Sequence, residues 1–280
     1  MNAPDAKTYC MGFWDIPGNR KRSLDHYTGL LDQTLAMVAG RQLVFVHDSP
    51  GLIVPLRERS AELGIDLHEQ RLPLAELPAR VSARAFLERT RAFADAGRDR
   101  QRPFGREKAP RKCRFLRASG GDVYGDILSV WLSKVPVMAA VARANPFGST
   151  NFAWIDTSVA RFNGRRDRWR FNEVEDCPGR IRHYASASRK HGRRLAVQAS
   201  YLSGDQTAWR ALDHLYGEAL TTAESEAYPN DDETLLDACQ RAEPHRFHQI
   251  DRGPITLWLR KRDLPRKALR AIAKRAGSRS

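Results

Sequence analysis

The stretch TYCMGFWDIPGNRKRS, residues 8–23, decides how the rest of the chain reads. Residues 8–16 read as a buried first strand, and Pro17-Gly18-Asn19 ends it as a turn. Ser23 is placed to cap a helix running to about residue 38, with Leu24, Tyr27, Leu31 and Leu35 as its apolar stripe. QLVFVH, residues 42–47, is a second strand, closed by Asp48-Ser49-Pro50-Gly51. A short helix over about 55–63 and a third strand over 65–72 follow. Strand–helix–strand–helix–strand order predicts an α/β fold, a Rossmann-like and mostly parallel sheet flanked by helices.

Downstream, residues 97–121 dissolve into Arg, Lys, Gly and Pro and read as an exposed basic insertion. Order returns over 124–143, where Tyr124, Ile127, Leu128, Trp131, Val135, Met138 and Val141 repeat at helical spacing. Residues 152–155 form a short apolar strand ending at Asp156. Later strands are expected over 181–185, 195–202 and 247–251, and helices over 206–220 and 231–241. The chain thus divides into one domain, residues 1–259, and a basic C-terminal tail, residues 260–280. The glycine-rich fingerprints GxGxxG and GxxxxGK[ST] are absent, which speaks against dehydrogenase and P-loop kinase readings.

A chain of 280 residues, 41% hydrophobic and 29% charged, suits a globular protein. No stretch approaches the roughly 20 apolar residues of a membrane span, and residues 1–7 lack an apolar signal core. Cys10, Cys113, Cys177 and Cys239 lie far apart without a CxxC pair, against a zinc ribbon or disulfide scaffold and in keeping with a reducing cytoplasm. The net charge of +14 is unevenly placed. Nine basic and two acidic residues over 98–117 give +7, and nine against one over 260–280 give +8, leaving about −1 elsewhere. Such segments are either solvated charge or attract phosphate-rich partners: an anionic membrane surface, RNA or a diphosphate. A neutral body without a recognisable RNA or DNA module argues against specific nucleic-acid binding.

Ligands of an open parallel sheet bind beyond the carboxyl ends of its strands. The first strand exits through Phe13, Trp14 and Asp15 toward Arg20, Lys21 and Arg22. An aromatic face, a carboxylate and cations there can hold a base, a ribose and phosphates; the alternative is a core aromatic beside a surface loop. Alternation puts Phe152, Trp154 and Asp156 on one strand face. Asp156 can therefore present a hard metal ligand to a diphosphate, or simply open the turn that follows. Asn230-Asp231-Asp232-Glu233 starts a helix, either as capping acids or as a source of a base toward an acceptor hydroxyl.

These pieces occur in order in one group of proteins. CMGFWDIPGNRKRS (10–23), VWLSKVPVMAAVARANPFGSTNFAWIDTS (130–158), VQASYLSGDQTAWRALDHLYGEAL (197–220) and DDETLLDACQRAEPHRFHQI (231–250) resemble the bacterial HtrL/YibB-like glycosyltransferases, linked with lipopolysaccharide or other surface-glycan assembly. The resemblance implies a GT-A fold, a nucleoside diphosphate sugar as donor and a glycan or lipid-linked acceptor. The basic tail over 260–280 then either docks a cytoplasmic enzyme on the anionic inner face of the membrane or is a solvated terminus. It places Asp156 where such enzymes carry a metal-binding Asp-x-Asp motif. Here the motif reads Asp-Thr-Ser, which leaves dependence on manganese or magnesium open. The resemblance also places the Ser203-Gly204-Asp205 turn at the acceptor and donor sugar, where Gly204 lets backbone approach closely. Lys134, flanking the Trp131 stripe, either reaches a donor phosphate or snorkels to solvent, and Asp205 or Asp232 takes the acceptor proton if the enzyme inverts. A catalytically inactive scaffold of the same fold and a nucleic-acid-binding protein are the alternatives.

Overall fold

β1 (Lys7–Phe13), β2 (Gln42–His47) and β3 (Asp66–Arg71) pair in parallel, joined by α1 (Leu24–Met37) and α2 (Pro50–Glu62). The computed structural model describes residues 7–19, 24–100, 106–162 and 175–251. The sheet then continues on the other side of β1 with β4 (Asn151–Ile155), β8 (Tyr201–Asp205), β5 (Ile181–His183) and β9 (Phe247–Gln249). β4 is parallel to β1, and β8 is antiparallel to both β4 and β5. The result is the expected α/β architecture, a mixed and mostly parallel seven-stranded sheet flanked by helices. A separate ribbon pairs β6 (Arg189–Lys190) with β7 (Arg193–Arg194).

Both faces of the sheet are covered, which is why β1, β2 and β4 read as continuous apolar runs instead of alternating ones. Tyr9, Met11, Leu43, Phe45, Ala153 and Ile155 join one core with Leu31 and Leu35 of α1. Cys10, Val44, Val46, Phe152 and Trp154 join the other. That second core is roofed by α3 (Arg80–Asp95), α5 (Gly121–Ala144) and α6 (Gln206–Glu224). Trp209 of α6 is fully buried and donates to the Phe152 carbonyl at 3.1 Å. Truncating so large a core side chain costs about 3–5 kcal/mol.

α5 is the central helix of that roof. By length and mean hydropathy it would pass for a membrane span, contrary to the sequence expectation, yet 67% of its apolar window is buried inside the protein. It ends at Asn145, which adopts a left-handed conformation (φ 45°) and clasps Ser149 with both side-chain atoms. Asparagine tolerates that conformation better than most residues, and the clasp turns the chain directly into β4. Lys134 on α5 and Asp156 after β4 thereby gain a fixed relation.

Several expectations shift. α2 begins at Pro50, not near residue 55, because proline suits a first helical turn where its missing N–H is not needed. Within the expected exposed insertion over 97–121, Lys108–Ser119 form α4 instead, with Ala109, Cys113 and Leu116 turned inward, while residues 101–105 fall outside the described residues. The strand expected over 195–202 occupies Tyr201–Asp205 instead. The capping role of Ser23 and the tail over 260–280 fall outside the described residues.

Candidate active site

The strand order 3-2-1-4 reverses direction at β1, so the carboxyl ends of β1 and β4 border the topological switch point of the sheet. A cavity of about 300 Å³ opens there, lined by Gly12, Trp14, Tyr27, Trp131, Trp154, Lys134 and Asp156 among others. Phe13 and Asp15 line it too. The Trp14 indole is locked by donating to the Leu72 carbonyl at 2.9 Å, and Trp154 Nε1 donates to Asp156 Oδ1 at 3.2 Å. A second cavity of about 680 Å³ adjoins the first and shares Trp131, Lys134, Asp156 and Arg161 with it. Its other walls come from α4 and from the start of α7 (Asp232–Ala242).

A chain of mostly buried charges runs from the shared wall into the larger cavity. Lys134 Nζ lies 2.9 Å from Asp156 Oδ1 and 2.8 Å from Asp232 Oδ2. Asp232 Oδ1 accepts the Glu233 amide at 2.9 Å. Next along, Lys108 Nζ bridges Asp231 (2.6 Å) and Glu233 (2.7 Å), and Lys112 also contacts Asp231. Asp231 is fully buried and caps α7, its carboxylate accepting the Thr234 amide while the Thr234 hydroxyl accepts its own amide. Arg161 Nη2 stands 3.7 Å from Asp156 Oδ2 and donates to Ser200 Oγ at 3.0 Å.

The ionisation of these groups follows from their partners. Burial disfavours the Asp156 carboxylate, but Lys134 and Arg161 outweigh it and hold its pKa down to about 2. Burial likewise opposes the Lys134 ammonium, yet Asp156 and Asp232 raise its pKa above the ordinary lysine value. Lys112 is pushed down to about 8, because burial and the charge of Lys108 exceed the help of Asp231. Asp232 moves upward: burial, with Asp231 and Glu233 beside it, prevails over Lys134. Asp156, Asp231 and Glu233 are shifted down and Asp232 up, the direction that suits a general base toward a hydroxyl.

The structure therefore brings Phe13, Trp14, Asp15, Lys134, Trp154, Asp156 and Asp232 to one cleft. Arg20 and Arg22 lie outside the described residues. Gly204 and Asp205 do not reach the cleft. Because β8 runs antiparallel, Asp205 pairs with Asn151 at the amino-terminal end of β4, the end of the strands away from the cleft. There it caps α6 through the Ala208 amide and accepts the Gly179 amide, each at 2.7 Å. A Cβ on Gly204 would meet Ala208, the Arg180 carbonyl and Ile181 at 3.0 Å, so this glycine serves helix packing. Sequence reasoning missed Gly12, Trp131, Arg161, Lys108 and Lys112. Only Trp131 carried a signal, one helical turn before Lys134.

A divalent metal on Asp156 does not fit this arrangement. Its Oδ1 already accepts from Lys134 and Trp154, and its Oδ2 faces Arg161. Ser158, where a second acid would stand, contacts Arg161. Among the described residues there is no group of three or more His, Cys, Asp or Glu side chains able to hold a metal ion. The four cysteines are free.

The class defined here is an α/β sheet with a two-chambered cleft at its switch point, the place where open sheets of this kind bind ligands. No protein-family model matches the chain. No curated protein matches it either. Among solved structures it is similar to mouse xyloside xylosyltransferase 1 in its apo form (TM-score 0.48, 12% identity, 88% of this chain and 85% of that one). It is also similar to the glycosyltransferase GlyE of Streptococcus pneumoniae TIGR4 (TM-score 0.44, 8% identity, 88% of this chain and 45% of that one). Likenesses of this degree assign neither donor nor acceptor.

Proposed function

We propose that the protein transfers a sugar from a nucleoside diphosphate sugar to a hydroxyl of a surface-glycan or lipopolysaccharide precursor. The observation that carries this reading is the pair of adjoining cavities sharing one charged wall: a small aromatic chamber beside a larger polar one. Trp14, Trp131 and Trp154 line the chamber that would take the nucleobase and ribose, and Lys134 stands where the diphosphate would lie. The larger chamber, rimmed by the exposed Arg111 and Arg114 of α4, has room for an acceptor glycan.

In the transfer, the bond between the anomeric carbon and the diphosphate oxygen breaks, and its electron pair stays on the diphosphate. The acceptor oxygen bonds to that carbon and its proton passes to Asp232. Lys134 and Arg161 face the developing negative charge, the kind of preorganised stabilisation that accounts for much of enzymatic rate enhancement. The basic segment over 260–280 would keep the enzyme at an anionic inner membrane surface, where a lipid-linked acceptor is presented.

A thermal-shift screen of nucleoside diphosphates and their sugars tests the reading. A ligand at 100 times its Kd adds about 2.7 kcal/mol to stability, enough to raise Tm by several degrees in a chain of this size. If no nucleotide or nucleotide sugar moves Tm while the protein melts cooperatively, the donor site is misassigned.

A further inference from the structure

Four cations and four carboxylates pair along the wall that runs from the junction of the two cavities into the larger one. Lys108, Lys112, Lys134 and Arg161 stand against Asp156, Asp231, Asp232 and Glu233. Divalent cations are held by oxygen ligands, commonly including several carboxylates, and here Asp156, Asp231, Asp232 and Glu233 each already have an ammonium against them. A metal on the Asp156–Asp232 pair would have to expel the Lys134 ammonium, then sit against Trp154 Nε1 and the Glu233 amide, both of which donate to the same two side chains.

We propose that Lys134 is a built-in replacement for the divalent ion, a fixed cation at the end of β4 that receives the donor diphosphate, so that donor binding proceeds without metal. The proposal rests on the donor reading given above. An ammonium carries three N–H donors. Two of those on Lys134 go to Asp156 and Asp232, and the third remains for a phosphate oxygen. Lys134 lines both chambers and is held by α5 on one side and two carboxylates on the other, so it would act as a positioned point charge. The two aspartates then act as the cradle that a metal's ligands would otherwise be, with lysine in the metal's place.

Calorimetric titration of the wild-type protein with UDP, GDP, ADP, CDP and dTDP, in EDTA and then in manganese, tests this without any variant. The diphosphate that binds should show the same Kd in both conditions, and manganese EPR should detect no ion bound to the free protein. An affinity tenfold or more higher with manganese overturns the proposal and leaves the donor reading standing. Failure of all five to bind in either condition removes the donor reading, and this proposal with it. Lys134→Ala, checked for folding by circular dichroism, should lose about 10–100-fold in diphosphate affinity in EDTA, as expected for a charged hydrogen bond. With Asp156 and Asp232 released, the variant should recover part of that loss when manganese is added. Undiminished affinity of Lys134→Ala in EDTA would equally overturn the assignment.

Discussion

A Cβ built on Gly12 would lie 2.5 Å from Cζ3 of Trp14 and 2.9 Å from Cη2 of Trp154, closer than carbon atoms approach. The absence of a side chain there is what lets the two indoles meet at the wall of the aromatic chamber. Neither ring can yield freely, because Trp14 is tied to Leu72 and Trp154 to Asp156. Gly12→Ala should therefore destabilise the fold by about 1–3 kcal/mol through overpacking. It should also weaken nucleotide binding, since any shift of Trp154 is passed to Asp156 and from there to Lys134. Denaturant unfolding and nucleotide calorimetry on the same preparation check both effects. A variant with wild-type stability and wild-type affinity would mean the rings accommodate the methyl group, and the chamber is less rigid than its contacts imply.

Two helices begin on an aspartate, and the comparison separates capping from charge burial. Asp205 caps α6 at the strand end away from the cleft. Asp205→Ala should cost about 1–2 kcal/mol and leave turnover unchanged. Asp231 caps α7 and also neutralises Lys108 and Lys112, both nearly inaccessible. Asp231→Ala removes the cap, leaves the Lys112 ammonium without a carboxylate and leaves Lys108 with Glu233 alone, so a larger loss of about 3–5 kcal/mol is expected. Equal costs in urea unfolding would show that the buried lysines find other partners. The same elements mark where sequence reasoning stopped. α1, β1, β2, α5 and β4 were legible because apolar residues recur at strand or helix spacing and both faces of the sheet are covered. α4 was hidden because lysines occupy inward positions of its turns, and their partners Asp231 and Glu233 lie more than a hundred residues downstream. The direction of β8 is likewise not written in its residues, and that direction alone carries Asp205 away from the cleft.

At the scale of the whole molecule, the cleft depends on a sheet that extends well past it, through β8 and β5 to β9. Of the candidate site, Trp14, Lys134, Trp154, Asp156 and Asp232 were legible as residues, but their assembly through one lysine was not. Ion pairing in three dimensions leaves no period in a sequence. The far half of the sheet carries its own liability in His183 of β5, which is buried against Phe247 with ring centroids 5.9 Å apart. Burial, reinforced by His248 and Arg182, lowers its pKa to about 4 against an ordinary 6.5, although the Tyr184 carbonyl and Asp251 oppose the shift. The folded state thus holds this ring neutral and binds its proton less tightly than the unfolded chain does. Its contribution to stability is complete above pH 6.5 and disappears as pH falls through about 4. A shift of this size corresponds to about 3 kcal/mol. Carboxylates with depressed pKa values, such as Asp156, surrender their contribution only below the ordinary carboxylate range, so His183 should dominate the loss in this window. His183→Leu removes the titrating ring and keeps an apolar contact for Phe247, and the Tyr184 carbonyl retains the Gln198 amide at 2.8 Å. Urea unfolding of wild type and variant across pH 6.5 to 4 should give a wild-type curve that falls by about 3 kcal/mol more than the variant curve. Parallel curves would place the acid sensitivity of the sheet in some other group.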